Sequence, residues 1–531
     1  MAGTVTSQLT NVTLAESGDS ANWDDIGAGP GSGQSSDLPI QGAEARGRRA
    51  DNVTDRGFSF DSTTPNDISS SGTHVGFWVN VLQPSAATVV SLLLGGGATP
   101  STSPWSEWDA FASAGNAYPP SGGWQRVWID PTKTRDDGAG TLVLSSVRQY
   151  GVRYTIADVG GSTLNVQLDR IDYIDGGGGL LVDGGTAPSP ATFQDFVDAD
   201  EGNTSNQYGV VATRDGVVFC LARLTVADAT ATVFDDSGFA LIFADQSLVS
   251  SDFMGLTIDL QNASTDVDIA SGVIRSGGST NRGDIVVTGT SGAFDAASMT
   301  FDGLRIVTLT SACTISASTF AGCGLITAAG ANLSGCTVSG SIASTSALLW
   351  NVATDTDGLL DDMTFVSPGT GHAIELGANT PTTIDLVGQS YSGYAVTDGS
   401  TGNEVLYNNS GKAITVNVLG GGTLPTVRNG AGASTTVVAS VPVAVTVTDA
   451  SGSPIQNARV YLRKSGGGAE VLNALTNASG VASTTFGDAT PQAVEGWVRK
   501  GTTSPLYKQF ALGGSISSTG YSATAIMASD E

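Results

Sequence analysis

The chain predicts an all-β protein in three zones: a β-sandwich, a stack of parallel β-coils and a second, smaller sandwich. Three observations predict it. First, Thr-Phe or Thr-Val pairs recur at Thr300-Phe301, Thr319-Phe320, Thr337-Val338 and Thr364-Phe365, in steps of 19, 18 and 27 residues. A unit of about twenty residues with a β-branched or aromatic stripe is one coil of a parallel β-helix, which cannot bury its apolar side alone and must stack. Second, glycine supplies 70 of the 531 residues, nearly twice the ordinary share of ~7%, as tight turns and stacked coils require. Third, only 14% of residues are charged against a usual ~25%, so Ser, Thr, Asn and Gln must carry the surface polarity.

The length calls for about two to four domains. The net charge of −27, from 50 acidic and 23 basic residues, argues against nucleic acid as a partner, because neutralising phosphates needs a basic surface. Most of the acids are Asp, which suits turns, and their plain role is solubility. Cys220, Cys313, Cys323 and Cys336 show no CxxC spacing and read as free core thiols. The start, Met1-Ala2-Gly3-Thr4-Val5-Thr6, has no basic n-region or apolar h-region, so no secretory signal is expected. No stretch approaches the ~20 apolar residues of a membrane span, so no membrane partner is expected. Sequons such as those at Asn52 and Asn477 mean little without a secretory route. A protein shaped for the outside yet made without an export signal fits a virus particle released by lysis.

The first zone, residues 1–178, holds Trp23, Trp78, Trp105, Trp108, Trp124 and Trp128. Strand-like runs cover Gly76 to Val81, Val89 to Leu94, Trp124 to Ile129 and Val152 to Ile156, and Leu164 to Ile174 alternates strictly. Antiparallel strands at this spacing predict a sandwich. Gly123-Trp124-Gln125-Arg126-Val127 and Asp169-Arg170-Ile171-Asp172-Tyr173-Ile174 resemble the jelly-roll domains that include many carbohydrate-binding and laminin-G-like modules. Sandwich tryptophans are mostly core. Trp105 and Trp108, in a Pro/Ser-rich stretch read as a loop, are the candidates for exposed ligand stacking.

Residues 179–199 read as linker and cap. Asp175 to Gly179, Asp183-Gly184-Gly185 and Ala187-Pro188-Ser189-Pro190 form the linker, and Phe193 to Glu201 predicts a short helix capping the open coil end. Residues 200–437 predict a right-handed parallel β-helix of about eleven or twelve coils, roughly 50–60 Å long at ~4.8 Å per coil. Residues 438–531 predict a small Ig-like or transthyretin-like sandwich, opened by the alternating Val441, Val443, Val445 and Val447.

Tyr407-Asn408-Asn409-Ser410-Gly411 with Pro425 to Gly430 resembles the closing coils of β-helical proteins in tailed-phage particles. Val445 to Gly452, Pro454 to Val460 and Thr476 to Gly480 resemble the Ig-like, carboxypeptidase-regulatory-like modules that end many such proteins. The order of sandwich, β-helix and Ig-like module is similar to that of phage virion proteins found in fibres, spikes or head appendages. The resemblance implies a virion location, a homotrimer, contact with other virion proteins and contact with host surface polysaccharide.

Chemistry has few candidates. His74 stands at a strand start and His372 in a Gly-rich turn, neither beside a nucleophile motif, so both read as turn or cap histidines. No HExxH or paired Cys/His spacing points to zinc, and no cofactor is expected. The Gly27 to Gly33 run lacks the Lys and Ser/Thr of a P-loop. Glycosidic cleavage needs two carboxyls roughly 5–9.5 Å apart, and i, i+2 residues on a strand meet that. Asp266 with Asp268 and Asp355 with Asp357 have the spacing, whereas Asp235-Asp236 and Asp361-Asp362 sit at apparent turns. Asp355, Asp357, Asp361 and Asp362 also partly match a Ca²⁺ loop but depart from the EF-hand pattern, so no metal is expected. The leading expectation is a non-catalytic structural virion protein. A polysaccharide-degrading tailspike using an Asp pair is the alternative, and a bacterial surface adhesin the third reading.

Overall fold

The computed structural model describes residues 3–12, 23–26, 33–35, 45–49, 53–81, 87–99, 104–112, 124–156, 164–174, 178–201, 208–214, 216–228, 230–244, 248–250, 252–279, 281–399, 402–439, 441–487, 492–501, 504–517 and 520–530. The glycine-rich run 27–31, Asn52 and the segment 175–177 lie outside the described residues. The chain is almost entirely β-structure and divides into two compact units, residues 1–314 with 318–326, and residues 315–317 with 327–531.

In the first unit two antiparallel sheets enclose the N-terminal core. One orders Trp124–Ile129, His74–Val81, Leu164–Ile174, Ala45–Arg49 and Gly33–Ser35. The other orders Asp137–Ala139, Trp105–Ala112, Ala87–Gly95, Val147–Ile156, Val53–Asn66 and Trp23–Ile26. Alternation fills the space between them: Tyr150, Val152 and Tyr154 join Phe58, Phe60, Val90 and Leu92 in one buried cluster. Gly57 and Gly151 let neighbouring strands close, since a Cβ on either would strike the opposing backbone. The alternation of Leu164–Ile174 is interrupted by a register shift between Asp169 and Ile171, where Arg170 takes a φ of 27°.

The stretch read as a linker instead contains a strand. Gly179–Gly184 pairs antiparallel with Gly3–Ser7 and parallel with Arg223–Val226, so the coils begin before residue 200. The expected helix is present at Phe193–Glu201. Its start is fixed twice: Asp195 Oδ2 accepts the Thr192 amide at 2.7 Å, as in a capping box, and Asp236 Oδ2 accepts the Phe193 amide at 2.8 Å. Its apolar side sets Phe193 against Phe234 and Phe239, with ring centroids 5.0 and 4.5 Å away. Asp200, 2% exposed, accepts the amides of Gly209, Val210 and Val211 and holds the returning chain.

From there each passage of the chain adds one strand to each of three parallel sheets. Leu224, Leu256 and Ile285 follow one another in register on the first, Phe234, Val267 and Phe294 on the second, and Ile274, Phe301 and Phe320 on the third. All are buried. The Thr-Phe repeat is therefore a register: Thr300 lies beside Thr319 and Phe301 beside Phe320.

The second unit repeats this logic. Thr337 pairs with Thr364 and Thr364 with Ser390, so Val338, Phe365 and Tyr391 stack. Parallel ladders join Ser346–Trp350, His372–Leu376, Leu406–Asn408 and Val427–Asn429, and join Thr383–Val387, Ala413–Leu419 and Ser434–Ala439. A two-sheet sandwich follows. Val441–Asp449 lies between Val481–Phe486 and Tyr521–Met527, facing a sheet of Glu470–Leu475, Arg459–Lys464, Gln492–Lys500 and Tyr507–Ile516. Val443, Val445 and Val447 are fully buried against Val460 and Leu462, as their alternation demands. Among the described residues no helix is long and apolar enough to cross a membrane.

Candidate functional site

Trp105 and Trp108 lie on the strand Trp105–Ala112, not in a loop. Three positions apart on a strand, they face opposite sides. Trp108 is 1% exposed in the core and donates its indole N–H to the Lys133 carbonyl at 3.1 Å, so it is no stacking platform. Trp105 faces outward, half-buried, with the Arg153 guanidinium 5.0 Å over its ring. Arg153 also pairs with Glu107 at 3.0 Å, and Ser91 donates to Asp109 at 2.7 Å. Ser91, Glu107, Asp109 and Arg153 line an open hollow of about 290 Å³ that Trp105 does not line, and these polar groups pair with one another.

Asp266 and Asp268 share the outward face of one strand, as the two-residue spacing predicts. Register adds what sequence did not: Asp235, Asp268 and Asp295 stand side by side on three consecutive coils. Asp268 is mostly exposed, and partial burial, followed by the charges of Asp266, Asp295 and Asp235, raises its carboxyl above the ordinary carboxylate value. Asp235 lies on the strand Val233–Ser237 rather than at a turn. Its neighbour Asp236 caps the helix.

Asp355 and Asp357 do not form a strand-face pair. They lie between Ser346–Trp350 and Thr364–Val366, and the Asp355 carboxylate accepts the amides of Thr356 and Asp385 at 2.6 and 2.9 Å. Asp361 Oδ1 accepts the Gly358 amide at 3.0 Å. These acids hold a turn. Among the described residues no three His, Cys, Asp or Glu side chains are gathered as a metal site would gather them.

Both histidines are buried. His74 Nδ1 donates to the Gly72 carbonyl at 2.7 Å, Nε2 accepts the Ser250 amide at 3.1 Å, and the ring stacks on Phe253 at 3.9 Å. His372 opens the strand His372–Leu376 rather than resting in a turn. Its Nδ1 donates to the Glu404 carbonyl at 2.8 Å, its ring stacks on Tyr407 at 4.9 Å, and Arg428 Nη1 approaches Nε2 at 3.5 Å. Burial pushes both imidazoles below their ordinary value. Among the described residues the fully buried Glu404 carboxylate has no hydrogen-bond partner on either oxygen, and it lies 3.7 Å from His372. Sequence reasoning missed it, since the two residues are 32 positions apart and share no motif.

A further group escaped sequence reading. On the outer face of the C-terminal sandwich, Arg459, Trp497, Arg499 and Lys500 line a hollow of about 430 Å³ with Asn457 and Leu475. They come from segments forty residues apart, and only the pairing of their strands brings them together.

No protein-family description and no curated protein matches the chain. Solved structures with some likeness include a family 11 carbohydrate-binding module from Clostridium thermocellum in complex with a β-1,3-1,4-mixed-linked tetrasaccharide. It is 13% identical, covers 33% of this chain and 97% of that one, and gives a TM-score of 0.23. Another is the catalytic unit of a thermostable GH87 α-1,3-glucanase from Streptomyces thermodiastaticus, 11% identical, covering 82% of this chain and 96% of that one, with a TM-score of 0.18. At these scores the functional reading rests on the geometry.

Proposed function

We propose that the chain is a non-catalytic structural protein of a tailed-phage particle, a fibre, spike or head or tail appendage that exposes a surface for host attachment. In this reading a right-handed parallel β-helix joins a jelly-roll sandwich to an Ig-like sandwich, and the working assembly is a homotrimer. The observation that carries it is the parallel in-register stacking of Thr300-Phe301 on Thr319-Phe320, the rung geometry that the phage resemblance implies. The candidate carboxylates support it as well. Asp236 and Asp355 serve as backbone caps, which is a structural use. Mass spectrometry and cryo-EM of purified particles test the reading: the chain is expected as a stoichiometric component with threefold density. Particles that assemble and infect without it overturn the proposal.

A second reading is a polysaccharide-degrading spike. The raised Asp268 carboxyl beside Asp266 favours it, because glycoside cleavage pairs a protonated acid with a carboxylate. Prolonged incubation of the pure chain with host capsule or lipopolysaccharide decides between the two, and absence of new reducing ends or unsaturated sugars removes the enzyme.

A further inference from the structure

We propose that the outer face of the C-terminal sandwich binds an acidic polysaccharide, a polymer whose sugar rings carry carboxylates. Strand register builds the site. On Arg459–Lys464 and Gln492–Lys500, Val460, Leu462, Val494 and Val498 fill the core, so Arg459, Tyr461, Trp497 and Arg499 face outward. Pairing sets Arg459 opposite Arg499 and Tyr461 opposite Trp497. The two rings stack with centroids 5.5 Å apart and planes 27° apart, so Tyr461 buttresses Trp497, the one aromatic ring lining the hollow. Leu475, 52% exposed, lies opposite Arg459 on its other side. The hollow of about 430 Å³ has the size of a small-ligand site.

The charges point to the ligand. Two guanidinium groups directly opposite on neighbouring strands repel one another. Among the described residues Arg459, Arg499 and Lys500 have no carboxylate within ion-pair distance, whereas the next outward pair, Arg463 and Glu495, meets at 2.9 Å. Arg459 spends one N–H on the Asn473 side-chain oxygen at 2.6 Å, and Lys500 Nζ lies 5.8 Å over the Tyr507 ring. A planar guanidinium binds a carboxylate through two parallel hydrogen bonds, and an aromatic face accepts the C–H face of a sugar ring.

Other polyanions fit less well. Residues 441–531 hold six acids and six bases, so the whole net charge of −27 resides in the residues before them. That charge opposes a densely charged polyphosphate more than a polymer with one carboxylate per sugar. An acidic peptide would add along a sheet edge through its backbone, whereas this hollow lies on a sheet face. The site would supply the ligand class for host attachment, and to that extent it rests on the virion reading. Binding by the free chain can nevertheless fail while the particle location holds, or hold while the location fails.

The test uses the full chain with polygalacturonate in near-physiological salt, and dextran, polyglutamate and oligo-deoxythymidylate as comparators. Polygalacturonate alone is expected to bind. The exposed double variant Arg459→Gln with Arg499→Gln should weaken binding by at least about tenfold, the scale of one charge-assisted hydrogen bond. Trp497→Leu should weaken it about as much, while the double variant melts no lower than the parent. No binding to polygalacturonate, equal binding to polyglutamate or the oligonucleotide, or binding unaffected by either variant overturns the proposal.

Discussion

The ring of Phe301 lies on that of Phe320, their centroids 4.9 Å apart and their planes inclined by only 16°. Both side chains are essentially unexposed, and their strands pair residue for residue. Each ring therefore forms part of the surface against which the next coil closes. Phe320→Ala should destabilise the first unit by roughly 3–5 kcal/mol, the cost of a large buried aromatic lost with its cavity. Denaturant melts followed by circular dichroism measure this, and a loss under about 1 kcal/mol would show that the rings are not a packed ladder.

Asp268 should be a residue that the fold tolerates at a cost. Its carboxyl is raised, first by burial and then by Asp266, Asp295 and Asp235, so the folded state holds a proton more tightly than the unfolded chain. Its contribution is most favourable below the unfolded carboxylate value and is lost as pH rises through the raised folded value. Asp268→Asn should therefore raise the melting temperature at pH 7, with a gain that shrinks towards pH 4. Like charges across strands are worth roughly 0.2–1 kcal/mol, and solvent around this largely exposed group cuts that further. A gain of equal size at pH 4 and pH 7, or one that grows with added salt, would contradict the electrostatic account.

The two histidines should titrate low. Burial is the largest influence on each, outweighing the Gly72 carbonyl and Asp130 at His74, and the Glu404 backbone and charge at His372. A depressed histidine binds fewer protons when folded, so stability should fall as pH drops below the unfolded value of about 6.5 and continue to fall until the folded value is reached. Histidine-selective NMR reads two resonances, both titrating below that value. A midpoint at or above it for His74 would contradict burial as the dominant influence on that ring.

The thiols should be silent in the native protein. All four cysteines are buried thiols outside any disulfide, and burial pushes Cys220 and Cys323 up to about 12. Thiolates are the reactive form. A thiol reagent at pH 8 should modify none of them until denaturant is added, then all four. Fast labelling of the native chain would place at least one of them at the surface.

Local pattern made some of this legible. The Thr-Phe pairs announced the coil register because parallel stacking repeats similar side chains at the same place, and the helix at Phe193–Glu201 followed from the need to cap an open coil end. Trp105–Ala112 was lost because neighbouring Pro and Ser masked a strand in which Trp105 and Trp108 face opposite sides. Val53–Asn66 was missed because Phe58 and Phe60 are its only aromatic side chains, among Ser, Thr and Asp. The strand at Gly179–Gly184 was hidden by its glycines, the first of which sits where a Cβ would strike the Arg223 carbonyl. Glu404 beside His372 and Arg459 opposite Arg499 are products of pairing between distant segments, and no window of neighbouring residues contains them.

Because each coil offers its successor a row of buried side chains and a backbone edge in the same register, the coil is also a unit of inheritance. A duplication or excision that respects its boundaries keeps the backbone register and creates one new junction between side-chain rows. The number of coils can therefore change over generations in whole increments, each requiring only one junction to be repacked.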